Sequence, residues 1–355
     1  MNKDSQPFRY RVLKDYVLQK ISSGEFAGGT KFTSENQLCA QFGLSRCTVR
    51  QALKELENEG YLYRIQGKGT FVRDASPATS RKIALLIYDT LYLTHSISAN
   101  LILGIDAVLK AQGYALDILA SRRSFQDERV SQMTGAYAGF LIGAYQIDPL
   151  IVKALEHSSR PFLFVKNYLE EYKEKAMRID YEKAGFLGAE HLIKKGCEKL
   201  GLVYAGDMIL ISRDFGNGVK QACLEYGASL KKANIVECSF AKPEDAAVAA
   251  ELFAASRPDG IVCSTDEFAA VICEELLQHG IDIPGQMLLV GCNNSIISQV
   301  NVPQLTTLDI PTFTLGQAAA KCLLAEIDGK LKEPPALIEP ALIERASTKR
   351  NTAMV

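Results

Sequence analysis

From residue 82 onward, short and almost wholly apolar runs alternate with longer amphipathic or alanine-rich stretches. Strand-like runs fall at 82–88, 115–119, 138–142, 161–165, 199–204, 234–238, 259–263 and 287–291. Helical stretches lie between them, for example at 98–112, 182–195, 244–256 and 267–279. This alternation predicts an α/β fold of doubly wound parallel sheets covered by helices. A stretch of ~270 residues is long for one open sheet, so two lobes are expected. In such folds small molecules bind at the carboxyl ends of the strands, in the crevice between lobes.

Composition narrows the class further. Of 355 residues, 47% are hydrophobic and 23% charged, which is too apolar for a disordered chain. No apolar run reaches the ~18 residues a membrane span needs, and the best, from Ile83 to Leu93, is broken by Asp89. Residues 1–6 are followed by no apolar signal-peptide core, so a cytoplasmic protein with no membrane partner is expected. The nine cysteines are widely spaced without a C-x-x-C pair, as small apolar side chains in a reducing compartment would be. His95, His157, His191 and His279 are isolated in sequence, and neither a metal nor a cofactor is expected.

Charge is unevenly placed. Residues 1–75 hold 12 Lys/Arg against 8 Asp/Glu, and the rest hold 28 against 33. A basic amino-terminal segment points weakly to nucleic acid. The small, polar stretch at 74–81, which contains Pro77, reads as a linker.

Within the amino-terminal segment, Val12, Leu13, Tyr16, Val17 and Ile21 have helical spacing. Ser34 and Gln37 form a capping-box signature for a second helix. Gly43-Leu44-Ser45 then makes a tight turn into a third, whose apolar face is Val49, Leu53 and Leu56. Helix, short turn, helix is the helix-turn-helix pattern, and its second helix carries Ser45, Arg46, Thr48, Arg50 and Gln51 in its first turns. Arginine bonds guanine edges in a bidentate way, and serine and threonine bond phosphates or base edges. Next, two alternating runs flank Gly67-Lys68-Gly69, which predicts a β-hairpin wing whose tip approaches the phosphate backbone. A nucleotide-binding glycine loop is the rival, but the third glycine and a Walker pattern are missing.

These stretches resemble the winged helix-turn-helix of the GntR family of bacterial repressors. The resemblance rests on Ser34-Glu35-x-Gln37-Leu38, Phe42-Gly43-Leu44-Ser45-Arg46, Thr48-Val49-Arg50-Gln51-Ala52-Leu53, Leu56-x-x-x-Gly60 and Gln66-Gly67-x-Gly69-Thr70-Phe71-Val72. It implies DNA contacts from Ser45, Arg46, Thr48, Arg50, Gly67 and Lys68. Asn36 and Cys47 stand where the family usually has arginine and often has threonine, so both enter the candidate contact set as departures.

The remainder resembles the LacI-type effector domain, a fold shared with periplasmic sugar-binding proteins. The carrying residues include Gly104-Ile105, Gly185-x-x-Gly188-Ala189-Glu190-His191-Leu192, Pro258-Asp259-Gly260-Ile261, Asp266-x-x-Ala269, Val290-Gly291 and Leu305-Thr306-Thr307-Leu308. The combination of the two domains, with Tyr92 and Ile338-Glu339-Pro340-x-Leu342-Ile343-x-Arg345, resembles the arabinose-repressor subgroup of Gram-positive bacteria. The expected organisation is a DNA-binding domain at 1–73, a linker at 74–81 and an effector and dimerisation domain at 82–347. Its first lobe spans 82–176 and 311–330 and its second 177–307 and 335–347, with crossovers near 177–181, 307–311 and 330–336.

The resemblance implies effector contacts from Asp89, Thr90, Tyr92 and His95, from Lys166 and Asn167, and from Arg213, Phe215, Thr265, Asp266 and Asn293. Phe215 replaces the family's usual arginine, Thr265 the asparagine before the aspartate, Asn293 an aspartate and Ile310 a frequent glutamine. Sugars need multiply bonding charged partners, so these losses leave a less charged pocket. Phe215 suits a core position equally, His95 a surface loop, Asp266 a helix cap, and Asn293 and Asn294 a turn.

The expected function is a DNA-binding transcriptional regulator, a homodimeric repressor on double-stranded operator DNA, controlled by a small-molecule effector such as a sugar. The alternative is a constitutive dimeric regulator whose effector domain binds no ligand. An enzyme is a third class that the fold admits, yet no nucleophile elbow, phosphate loop or dinucleotide fingerprint occurs, and no catalytic residue is assigned.

Overall fold

The computed structural model describes residues 6–22, 25–26, 28–58, 61–65, 67–72, 81–87, 96–120, 136–143, 149–158, 160–206, 209–239, 242, 244–331, 335 and 337–350. The candidate residues Asp89, Thr90, Tyr92 and His95 and the linker residues 74–80 lie outside them. The chain divides into two compact units. One comprises Met1–Asp89, Val108–Leu163 and Ala320–Lys332, and the other Thr90–Ala107, Phe164–Ala319 and Glu333–Val355.

The first unit begins with helices α1 (Gln6–Ser22), α2 (Glu35–Phe42) and α3 (Arg46–Asn58). Helix α1 starts six residues before Val12, the first of the apolar residues whose spacing predicts it. The capping box forms as the sequence predicts. Ser34 Oγ accepts from the Gln37 N–H, and Gln37 Oε1 accepts from the Ser34 N–H. Gly43, at φ 62°, ends α2 in the left-handed conformation that lets the chain turn at once into α3. Ser45 Oγ accepts from the Thr48 N–H at 3.2 Å and so caps α3.

The three helices close on Leu13, Val17, Leu38, Val49, Leu53 and Leu56, all at most 1% exposed. The hairpin of β1 (Leu62–Ile65) and β2 (Gly69–Val72) packs Leu62 and Val72 into the same core. Its register runs from Leu62↔Val72 to Ile65↔Gly69, which leaves Gly67, at φ 77°, and Lys68 at the exposed tip. A single bridge from Lys31 to Phe71 adds a third extended segment beside the wing. Farther along this unit, β3 (Lys82–Ile87) pairs in parallel with β4 (Ala115–Ala120) and β5 (Gly139–Ile142). Helix α4 (Ser96–Ala111) connects β3 to β4, and α5 (Pro149–His157) follows β5. Five of the six β3 residues are buried, as a strand covered on both faces requires.

Strand β6 (Phe162–Val165) ends in the second unit, where its last two residues pair in parallel with β7 (Ala176–Ile179). A complete sheet follows. Its strands are β8 (Leu200–Ala205), β9 (Ile235–Cys238), β10 (Gly260–Cys263), β11 (Leu288–Cys292), β12 (Thr306–Asp309) and β14 (Ala341–Ile343). They lie in the order β14-β12-β11-β10-β8-β9, parallel except for β14. The two-residue β13 (Leu337–Ile338) pairs with β7. Helices α6 (Tyr181–Lys194), α7 (Ile209–Tyr226), α8 (Glu244–Ser256) and α9 (Asp266–Gln278) cover these strands, α10 (Ile296–Val300) packs on α9, and α11 (Thr312–Ile327) follows β12.

Two glycine pairs set the closest helix crossings. Gly185 on α6 lies against the Phe215 carbonyl of α7, and Gly218 on α7 against the Glu182 carbonyl of α6. Gly104 on α4 meets the Phe313 carbonyl of α11, and Gly316 on α11 meets the Leu101 carbonyl of α4. These motif glycines are therefore packing devices that let backbones touch. Among the described residues no helix is long and apolar enough to cross a membrane.

Candidate nucleic-acid interface and effector site

Helix α3 divides its faces cleanly. Val49, Leu53 and Leu56 are buried, while Ser45, Arg46, Cys47 and Arg50 are exposed and Thr48 half-exposed. The structure thus brings together at one helix start every α3 residue proposed from sequence. Asn36 is exposed on α2, and Gly67 and Lys68 are exposed on the wing. The Ser45 and Thr48 hydroxyls bond each other at 2.8 Å, so the cap itself presents hydroxyls at the helix start. A helix amino terminus with free N–H groups and hydroxyls suits a phosphate.

A feature that local spacing does not reveal links these elements. The Glu35 carboxylate accepts from Arg50 Nε at 2.8 Å and from Arg64 Nη2 at 2.9 Å. Glu35 therefore ties α2 to α3 and to the wing. Because Arg50 is held through Nε, its terminal amino groups face outward on a fixed side chain. Such exposed pairs contribute little to stability, so their consequence is geometric. Glu35 and Arg64 join the candidate interface on this evidence.

In the second unit, three strand ends contribute candidate effector residues. Lys166 and Asn167 follow β6, Thr265 and Asp266 follow β10, and Asn293 follows β11. Lys166 and Asn167 are buried at 7% and 8% exposure. Burial lowers the Lys166 amine to about 8 while nearby Glu267 opposes that shift, and Gly291 of β11 lies against Asp266 at the start of α9. Asn293 adopts φ 105° and donates its N–H to the Leu308 carbonyl, which extends the β11–β12 pairing by one residue.

Other candidates prove to be occupied. Phe215 is 0% exposed and among the largest fully buried side chains, so it belongs to the core. Its spacing with Gly218, Val219 and Ala222 is the signal for that placement. Thr265, not Asp266, caps α9, since its Oγ1 accepts from the Phe268 N–H at 3.2 Å. Arg213 is exposed and paired with Glu170 at 3.0 Å and Asp214 at 3.2 Å. Asp214 also accepts from the Tyr168 hydroxyl at 3.3 Å. His191 is half-buried and bonded to Thr348 at 2.8 Å, a structural placement.

Asp266 forms a buried hub. It is 0% exposed and accepts from the Ser295 N–H at 2.7 Å and the Thr307 hydroxyl at 2.6 Å. Alongside it, Asn294 donates to Asp309 at 3.1 Å and accepts from Arg345 Nη2 at 2.6 Å. Burial pushes the Asp266 carboxyl up to about 6, against the opposing bonds from Thr307 and Ser295.

A carboxyl whose folded value lies above its unfolded 3.8 favours folding fully in acid and loses that contribution as pH rises through about 6. The span corresponds to about 3 kcal/mol. Asp266→Asn removes the titration. Urea denaturation is therefore expected to show its stability, relative to the parent, improving by up to about 3 kcal/mol between pH 4 and 7.5. A difference that does not change with pH would exclude a titrating Asp266.

Comparisons with known proteins agree with both halves of this geometry. Residues 9–72 match the model of bacterial regulatory proteins of the gntR family, and residues 189–348 match a periplasmic binding protein-like domain. The chain is 28% identical over 372 residues to the arabinose metabolism transcriptional repressor of Halalkalibacterium halodurans, covering 96% of each. It is 29% identical over 359 residues to the repressor of the same name from Geobacillus stearothermophilus, covering 96% of this chain and 98% of that one. The solved cellobiose complex of the transcriptional regulator CelR shares the fold, with a TM-score of 0.68 at 19% identity over 86% of this chain and 91% of that one. The chain thus joins a segment that matches the gntR family of bacterial regulatory proteins to one that matches a periplasmic binding protein-like domain.

Proposed function

We propose that the protein is a cytoplasmic transcriptional repressor whose operator affinity is set by a sugar or sugar-like effector. The exposed start of α3, with Ser45, Arg46, Cys47 and Arg50 beside the wing residue Lys68, carries the reading. A DNA-binding domain at 1–73, a linker at 74–81 and an effector and dimerisation domain at 82–347 are the parts it assigns. The effector binds at the strand ends around Lys166, Asn167 and Asn293.

A homodimer places two α3 helices in successive major grooves about one helical turn apart. Support for self-association comes from exposed apolar side chains on and beside α9 and α10: Leu277 at 39%, Ile296 at 63%, Val300 at 66% and Val302 at 82%. Effector binding changes the spacing of the two half-site readers and so the affinity for the operator. The names of the two repressors above, which concern arabinose metabolism, make pentoses the first candidates.

A thermal-shift screen of the full chain against pentoses, hexoses, sugar acids, sugar phosphates and polyols tests the ligand half of the reading. A true effector at ~100-fold over its dissociation constant adds ~2.7 kcal/mol to folded-state stability. One clear stabiliser is the expected result. No stabiliser across the panel would favour a constitutive dimeric regulator instead.

A further inference from the structure

We infer that the effector carries an acid group, a carboxylate or a phosphate, and that the Lys166 ammonium is its counter-ion. The inference rests on the proposed effector site and names the chemistry it would accept.

Lys166 is 7% exposed, yet no hydrogen bond or ion pair holds its ammonium among the described residues. Burying a cation without a partner is costly, and folded proteins tolerate it chiefly where a ligand or reaction uses the charge. The backbone makes the placement more pointed. The Asn167 N–H donates to the Val165 carbonyl at 2.9 Å, closing a three-residue turn centred on Lys166 at φ 70°. This is the left-handed form of that turn, rare for a residue with a side chain. Local strain of this kind gathers at ligand sites. Burial draws the amine down to about 8, which leaves it mostly protonated at neutral pH.

The surrounding charges sharpen the choice of ligand. Three carboxylates among the described residues near these strand ends are engaged. Asp266 is held by Ser295 and Thr307, Asp214 by Arg213 and Tyr168, and Asp309 by Asn294. Arg213 is itself neutralised by Glu170 and Asp214. Glu267 influences Lys166 without reaching ion-pair distance. Among the described strand-end candidates, the unpaired charge is therefore the ammonium of Lys166, a residue 7% exposed. A neutral sugar leaves that charge uncompensated, whereas a sugar acid or sugar phosphate satisfies it.

Matched neutral and acidic sugars test this on the full chain by calorimetry and thermal shift. The probes are glucose, gluconate, glucuronate and glucose 6-phosphate, ribose and ribose 5-phosphate, and arabinose and arabinonate. The expected result is that one acidic probe binds the parent and its neutral counterpart does not. Carboxylate and phosphate probes separate the two sources of the acid group. Lys166→Met should weaken the acidic probe by at least ~30-fold, while Lys166→Arg, which keeps the charge, weakens it less. An unchanged circular-dichroism spectrum and a cooperative melt show that each variant is folded. If a neutral sugar binds the parent and Lys166→Met equally, the counter-ion role is overturned and the effector site stands. If no probe binds the parent, the proposal fails together with the effector reading on which it rests.

Discussion

Gly218→Ala is expected to lower the melting temperature by roughly 6–12 °C, while Gly216→Ala on the same helix leaves it unchanged or raises it. A Cβ at Gly218 would stand 1.8 Å from the Glu182 carbonyl oxygen and 2.7 Å from the Phe186 nitrogen. Both are backbone atoms of α6, so no side chain can swing aside and the helices must separate. Separation also opens the reciprocal contact at Gly185, where a Cβ would lie 2.0 Å from the Phe215 carbonyl. Overpacking costs ~1–3 kcal/mol where side chains can adjust, and a backbone clash belongs at or above the upper end. The helical preference for alanine over glycine returns ~1 kcal/mol at most. At Gly216 the nearest atom is Leu202 Cδ2 at 3.7 Å, an ordinary contact, so only the propensity gain remains. Parallel melts of the two variants check this, and equal melting temperatures would show that α6 and α7 are not in backbone contact.

Arg46→Ala is expected to weaken specific operator binding by roughly 5- to 150-fold without changing the melting temperature. Arg46 is exposed at the first helical position of α3, one residue after the Ser45 cap. A bidentate arginine–guanine contact discriminates by ~1–3 kcal/mol, which sets the range. The fold does not depend on it, since surface substitutions usually change stability by ~0.5 kcal/mol or less. Lys68→Ala offers the contrast. A wing lysine at a phosphate weakens all duplexes alike and lowers the salt slope by ~1, whereas loss of Arg46 relaxes sequence preference. Fluorescence anisotropy with operator and scrambled duplexes at several salt concentrations separates the two. Equal losses on both duplexes for Arg46→Ala would assign Arg46 to the phosphate backbone.

What could be read from sequence follows the range of the interactions involved. The capping box of Ser34 and Gln37, the turn at Gly43, the Ser45 cap and the hairpin around Gly67 are all set by residues within a few positions. Each formed as the local chemistry requires. The parallel strands were visible because apolar runs such as Ile83–Ile87 suit burial on both faces. Short strands such as β13, with two residues, carry no such signal.

The candidate sites were less legible because their partners are distant in the chain. Glu35 reaches Arg64 29 residues away, and Asp266 meets Thr307 41 residues away. Nothing in the local pattern fixes those pairs. Phe215 was ambiguous because a single apolar residue on a helix serves a core or a pocket. Its complete burial decides for the core. Lys166 entered only as an effector contact implied by the resemblance, and its importance comes from a turn and a burial that no spacing rule predicts.

In the proposed function the amino-terminal domain reads DNA under the control of a small molecule bound in the other domain. The most direct measurement selects duplexes from a random pool with the full chain and titrates the best of them by anisotropy. The sugar that stabilises the protein is then added. The account predicts a pseudo-palindromic duplex with half-sites about one helical turn apart. Two chains bind it, salt weakens the complex steeply, and the sugar changes the affinity by ~5–150-fold. Equal binding to selected and scrambled duplexes, or an affinity that no stabilising sugar alters, would contradict it.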